Sequence, residues 1–113
     1  MRQKPYRNPK YLKWIRTRDC SVTNNNWDTV VAHHVRTGNQ PGIGQKVSDY
    51  LTIPLTAMEH NKLHSGVEKE YYSENKLDTD QIICANLLVY IAETCTDYRT
   101  LRDQLASIIE EHR

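Results

Sequence analysis

Four of the chain's five histidines fall between residues 33 and 64, as His33-His34 and, beyond an intervening loop, His60 and His64. No other feature restricts the fold as strongly. The second pair has helical spacing. In Pro54-Leu55-Thr56-Ala57-Met58-Glu59-His60-Asn61-Lys62-Leu63-His64-Ser65-Gly66, Thr56 is an N-cap residue type and Glu59 stands at the capping-box position. Gly66 supplies a stop. Residues four apart lie on one helical face, about 5–6 Å apart at Cβ. Two imidazoles so placed can grip one divalent ion, although Asn61 stands where a metalloprotease would carry its glutamate. Alone, the pair reads equally as two solvated helix histidines.

The first pair reads differently. Trp27-Asp28-Thr29-Val30-Val31-Ala32-His33-His34-Val35 has the β-branched enrichment of a strand. Adjacent strand residues point to opposite faces. His33 and His34 can therefore share one site only if the strand ends or is distorted there. One structural and one exposed histidine is the plain alternative.

Val31-Ala32-His33-His34, a glycine-rich loop, Lys46-Val47-Ser48-Asp49-Tyr50-Leu51-Thr52-Ile53-Pro54-Leu55 and His60-x3-His64-x-Gly66 follow one another in a characteristic order. Over about residues 18–70 this order resembles the HNH endonucleases, the ββα-metal or His-Me finger fold. Within them it is most similar to the phage recombination-enhancement nuclease group and related small phage HNH proteins. The resemblance implies a ββα-metal core; with a short N-terminal helix and two C-terminal helices read from the flanking residues, the expectation is an α+β domain. It implies a metal-dependent DNA endonuclease of phage or prophage origin, acting in the host cytoplasm in DNA recombination or processing. Its partners would be double- or single-stranded DNA and a recombinase.

Carried over by position, the resemblance makes His33, His60 and His64 the ligands of one divalent metal and His34 the general base. The central asparagine has no counterpart. Asp49 is the substitute, able to accept a hydrogen bond from the base and fix its tautomer. The residue types suit this chemistry. A near-neutral imidazole can take a proton from water, and a bound cation can stabilise charge on phosphate and leaving oxygen. Imidazole ligands favour Zn2+, Ni2+ or Mn2+ over Mg2+, whereas the resemblance implies that Mg2+ supports cleavage, so the ion stays open. Many HNH proteins also carry a structural zinc on two Cys-x2-Cys knuckles. The equivalent positions here are Cys20 and Thr23, then Thr56 and Glu59. No knuckle zinc is expected, and apolar packing around Trp14, Ile15, Trp27 and the C-terminal helices should replace it.

The chain's 113 residues suit a single domain: a basic segment over 1–18, the ββα core over 19–66 and a helical extension over 67–113. No apolar run approaches a membrane span, and no signal peptide is expected at the N-terminus. Three irregularly spaced cysteines suit reduced thiols in a cytosol. Net charge is +1 but unevenly spread: residues 1–18 carry seven Lys or Arg and no acid, whereas residues 65–113 carry ten acids against five Lys or Arg. One end should face a polyanion. Lys4, Arg7 and Lys10 in the arm, Arg36 after the histidine strand and Lys46 after the loop are candidate phosphate contacts. A solubilising arm and a surface ion pair for Arg36 are the alternatives.

Asn8-Pro9 starts a helix running to about Thr17 that should bury Leu12 and Ile15. Val67 to Tyr72 reads as a short helical turn. Asp78 caps a helix burying Ile83, Leu87, Tyr90 and Ile91, and a second helix near Thr96-Asp97 should bury Tyr98, Leu101, Leu105 and Ile108. His112 has no companions and reads as solvated. Two other functions fit the same residues: a non-catalytic nucleic-acid-binding module retaining the finger fold, and a structural zinc domain.

Overall fold

The computed structural model describes residues 7–36, 47–95 and 97–111. Helix α1 spans Pro9–Ile15, strand β1 Val30–His34, strand β2 Thr52–Thr56, and helices α2 to α5 Ala57–His64, Glu68–Glu74, Thr79–Thr94 and Tyr98–Glu111. The strands pair antiparallel, with His33 opposite Ile53 and His34 opposite Thr52. Strand β2 passes straight into α2, giving the β-β-α arrangement.

Four helices follow the sheet, which corrects the expectation of two C-terminal helices after the finger. Besides α2, α4 and α5, the segment read as a single turn is the separate helix α3. It carries one buried apolar residue, Tyr71, among charged neighbours, so hydrophobic periodicity could not reveal it. Extended Val67 parts it from α2.

Local signals explain most boundaries. The Asn8 side chain accepts from the Tyr11 amide and Pro9 fills the first turn of α1. Thr56 accepts from the Glu59 amide, and Asp78 from the Gln81 amide. The Glu59 carboxylate does not close a capping box. It accepts from the Tyr71 hydroxyl at 2.9 Å and from Lys62 at 3.2 Å, tying α2 to α3. Helix α1 ends at Ile15, short of Thr17, and β1 begins only at Val30.

Strand β2 is buried along its whole length because the core lies on both sides of the sheet. One cluster joins Cys20, Val35, Ile53, Leu55, Leu63, Tyr71 and Ile83. The other joins Tyr11, Ile15, Tyr50 and Tyr90, with Trp14, Ala32, Leu87 and Ile108 against it. Leu12 is only half-buried. Trp27 contributes nothing to this core: it is 91 % exposed in the turn before β1. Tyr98, at the start of α5, is likewise exposed, whereas Leu101 and Ile108 are half-buried.

Of the four knuckle-equivalent positions, Cys20 faces Thr23 and the backbone of Thr56, and the Thr56 hydroxyl accepts from the Glu59 amide. Burial pushes the Cys20 thiol up, but hydrogen bonds from the Thr23 backbone and side chain and from the Thr56 and Val22 backbone outweigh it and hold it below its ordinary value. Among the described residues, no helix is long and apolar enough to cross a membrane.

The Tyr11 hydroxyl is buried without a hydrogen-bond partner among the described residues, inside the aromatic cluster with Tyr50 and Tyr90. A buried unsatisfied polar group costs about 1–3 kcal/mol. Tyr11→Phe should therefore stabilise the fold by about 1 kcal/mol, read from the urea midpoint. A destabilised variant would mean that the hydroxyl is satisfied in solution.

Candidate metal centre

His33 and His34 stand at the end of β1 and point to opposite faces, as strand geometry demands. Cross-strand partners share a face, so His33 lies on the side of Ile53 and Leu55, towards α2 and α3. His34 lies on the side of Thr52 and Ala32, towards the chain entering α1. The strand stops at His34, so both rings still border one cleft. That cleft, of ≈ 470 Å³, is lined by Ala32, His33, His34, Arg36, His60, His64 and Glu68.

Helix α2 supplies the other imidazoles. His60 and His64 face each other across one turn with their Nε2 atoms 2.9 Å apart. The His33 ring meets them edge-on, with centroids 5.1 Å from His60 and 5.7 Å from His64. One ring nitrogen from each of the three lies within 4.8 Å of the others. Two nitrogens about 2.0–2.1 Å from one ion, the usual Zn–N distance, fall roughly 3 Å apart, so the His60–His64 spacing already suits a shared ion. The donor set fits a divalent metal held through imidazole lone pairs, leaving positions for oxygen ligands.

The electrostatics agree. Burial pushes His33 below the ordinary imidazole value, outweighing the opposing pull of Glu68. Burial pushes His60 down too, and neighbouring His64 adds to it. Both rings are thus neutral and available to a cation at neutral pH. In the unfolded chain they would take up protons near pH 6.5, about the free value. Stability is therefore fully present above about pH 6.5 and lost as pH falls below it towards the depressed folded values. The EDTA-treated protein should melt at a lower temperature at about pH 5.5 than at about pH 7.5, and His60→Gln should flatten that dependence. Equal melting temperatures at both pH values would contradict it.

On the other face, His34 Nε2 meets Asp49 Oδ1 at 2.9 Å. Asp49 is buried in the turn that feeds β2, where Ser48 accepts from the Tyr50 amide and Thr52 donates its hydroxyl to the Asp49 carbonyl. Its carboxylate also accepts from Arg7 Nη1 at 2.7 Å and from the Asn8 amide at 2.8 Å. Burial alone would raise the Asp49 carboxyl, but the hydrogen bonds from His34, Asn8 and Arg7 outweigh it and hold the group below its ordinary value. An ionised carboxylate only accepts. His34 therefore carries its proton on Nε2, leaving Nδ1 as the ring's acceptor.

The other sequence candidates fall as follows. Arg7 is engaged with Asp49 and with the Val47 carbonyl, so this part of the basic arm is built into the site. Lys10 is exposed on α1, and Arg36 is exposed at the rim of the cleft. Lys4, Lys46, the whole glycine-rich loop over residues 37–45 and His112 lie outside the described residues. Residue-level reading missed Glu68 and Tyr72. His33 Nε2 lies 3.0 Å from Glu68 Oε1 and 2.8 Å from the Tyr72 hydroxyl, which itself donates to Glu68. The spacing of Glu68 four residues after His64 was the available signal, hidden by the break between α2 and α3.

Comparison with known proteins adds one match. Neither curated proteins nor solved structures yield any significant similarity. The sequence model of one family, described as "Protein of unknown function (DUF968)", matches residues 2–85 and so takes in the basic arm, both strands and every residue of the histidine site. The chain belongs to the DUF968 family.

Proposed function

We propose that this protein is a metal-dependent endonuclease of the HNH type that hydrolyses DNA phosphodiesters. One observation carries the reading: a three-imidazole cluster and a separate histidine held by a buried carboxylate border the same cleft. A metal site built only for stability has no use for the second histidine. His33, His60 and His64 would hold the ion, which supplies charge stabilisation at the scissile phosphate and the leaving 3′ oxygen when bound. His34 takes a proton from the attacking water at Nδ1. Asp49 keeps that atom unprotonated and the ring oriented, and stabilises the imidazolium as it forms. Arg36 at the rim contacts backbone phosphate. The resemblance to small phage nucleases favours a role in DNA recombination or processing alongside a recombinase.

The deciding experiment incubates supercoiled plasmid with the purified protein and Mg2+, Mn2+, Ni2+, Zn2+ or EDTA. Nicked or linear product with at least one ion, and none with EDTA, is the expected result. Binding without cutting under every ion would replace this reading with that of a nucleic-acid-binding module.

The basic arm makes a separable contribution. Each phosphate it neutralises adds about −0.9 to the slope of log affinity against log salt on duplex DNA. Deleting residues 1–5 removes Arg2 and Lys4 but spares Arg7 and Asn8, which hold Asp49. That truncation should bind DNA more weakly with a shallower salt slope. An unchanged slope would remove those two residues from the interface.

A further inference from the structure

We infer that Glu68, assisted by Tyr72, is the positioning carboxylate of the metal centre, fixing His33 so that its Nδ1 is the atom offered to the ion. This deepens the metal-site reading above and rests on it. The argument is one of donors and acceptors. His33 is buried at 4 % exposure, so its polar atoms need partners within the protein. Its Nε2 has two, Glu68 Oε1 at 3.0 Å and the Tyr72 hydroxyl at 2.8 Å. Tyr72 spends its proton on Glu68. The carboxylate has no proton to give, so the hydrogen between His33 and Glu68 belongs to Nε2. A neutral imidazole with Nε2 protonated has one lone pair left, on Nδ1.

The fold makes this arrangement deliberate in a physical sense. Glu68 is the first residue of α3, a helix attached to α2 by the Glu59–Tyr71 hydrogen bond. Its carboxylate sits at a helix N-terminus, where negative charge is favoured, and the Arg36 amide approaches it at 3.5 Å. The extra helix thus holds the outer partner of a ligand that β1 supplies. Outer carboxylates of metal-bound histidines set ring orientation and basicity, and losing one typically costs about 10–100-fold in metal affinity.

The test has two readouts, neither of them cleavage. Ring 15N–1H correlation spectra of the metal-free protein should show His33 as the Nε2–H tautomer, and a mixed tautomer in Glu68→Ala. Calorimetric titration should show Glu68→Ala weakened about 10–100-fold for Mn2+ and Ni2+ alike. Glu68→Gln, which keeps an oxygen acceptor, should recover much of both properties and controls for folding. Three results overturn the inference while leaving the metal centre standing: an unprotonated Nε2 in the wild type, unchanged affinity in Glu68→Ala, or a loss confined to Mn2+. The last would make Glu68 itself an oxygen ligand, since harder ions depend most on oxygen donors. A wild type that binds no divalent ion overturns the metal centre and this inference together.

Discussion

Replacing His34 with alanine should lower DNA cutting by about 10²–10⁴-fold, the usual worth of a general base, while metal affinity and fold stay as in the wild type. The separation of roles follows from the sheet. His34 is on the opposite face of β1 from His33, and its hydrogen-bond partner is Asp49, not a member of the imidazole cluster. It is half-buried at a strand end, so truncation opens no large cavity. A loss of about 3–5 kcal/mol in transition-state stabilisation is plain in a plasmid nicking assay. Asp49→Ala should act in the same direction but less strongly, because it orients the ring and does not itself take the proton. Arg7→Ala should follow Asp49→Ala more weakly again, since the Asn8 amide still holds the carboxylate. Wild-type cutting rates in His34→Ala with metal bound would remove His34 from the chemistry.

The helix-forming half of this site is legible in the sequence because its signals are local. His60 and His64 lie one turn apart in a segment whose cap, Thr56, is visible three residues before the amide it satisfies. The strand half is legible as a strand, but which way each histidine faces depends on where the strand ends, and that is set by pairing with β2. Asp49 could be nominated from the sequence, but not the depth of its anchorage. Arg7 and Asn8 lie more than forty positions away, and Arg7 reads as one of several basic residues in a charged arm. Helix α3 shows the opposite failure. Its single buried apolar side chain gives no periodicity, so the element that brings Glu68 and Tyr72 to His33 is invisible until tertiary contacts are known. Trp27 illustrates the limit of composition: a large aromatic beside a strand suggests core, yet the turn carries it into solvent.

The double variant His60→Ala/His64→Ala should lose divalent metal binding altogether on the scale of a titration, by more than about the 100-fold that an outer partner can cost. These two are the right pair to remove. His64 is exposed and His60 half-buried, whereas His33 is enclosed by Glu68 and Tyr72 and its loss would also disturb packing. Removing both leaves one imidazole, which cannot compete with water for Mn2+ or Ni2+. Thermal denaturation gives an independent reading. An ion that binds only the folded chain stabilises it by about 2.7 kcal/mol at a hundred times its dissociation constant. The wild type and His34→Ala should both show that rise in melting temperature, and the double variant should show none. Under the proposed function, the variant should also be inactive on plasmid without the ion, while retaining the salt-dependent DNA binding proposed for the basic arm. A double variant that keeps its metal-induced stabilisation would place the ion elsewhere, and the cleft between β1 and α2 would then lose its claim to be the centre of the chemistry.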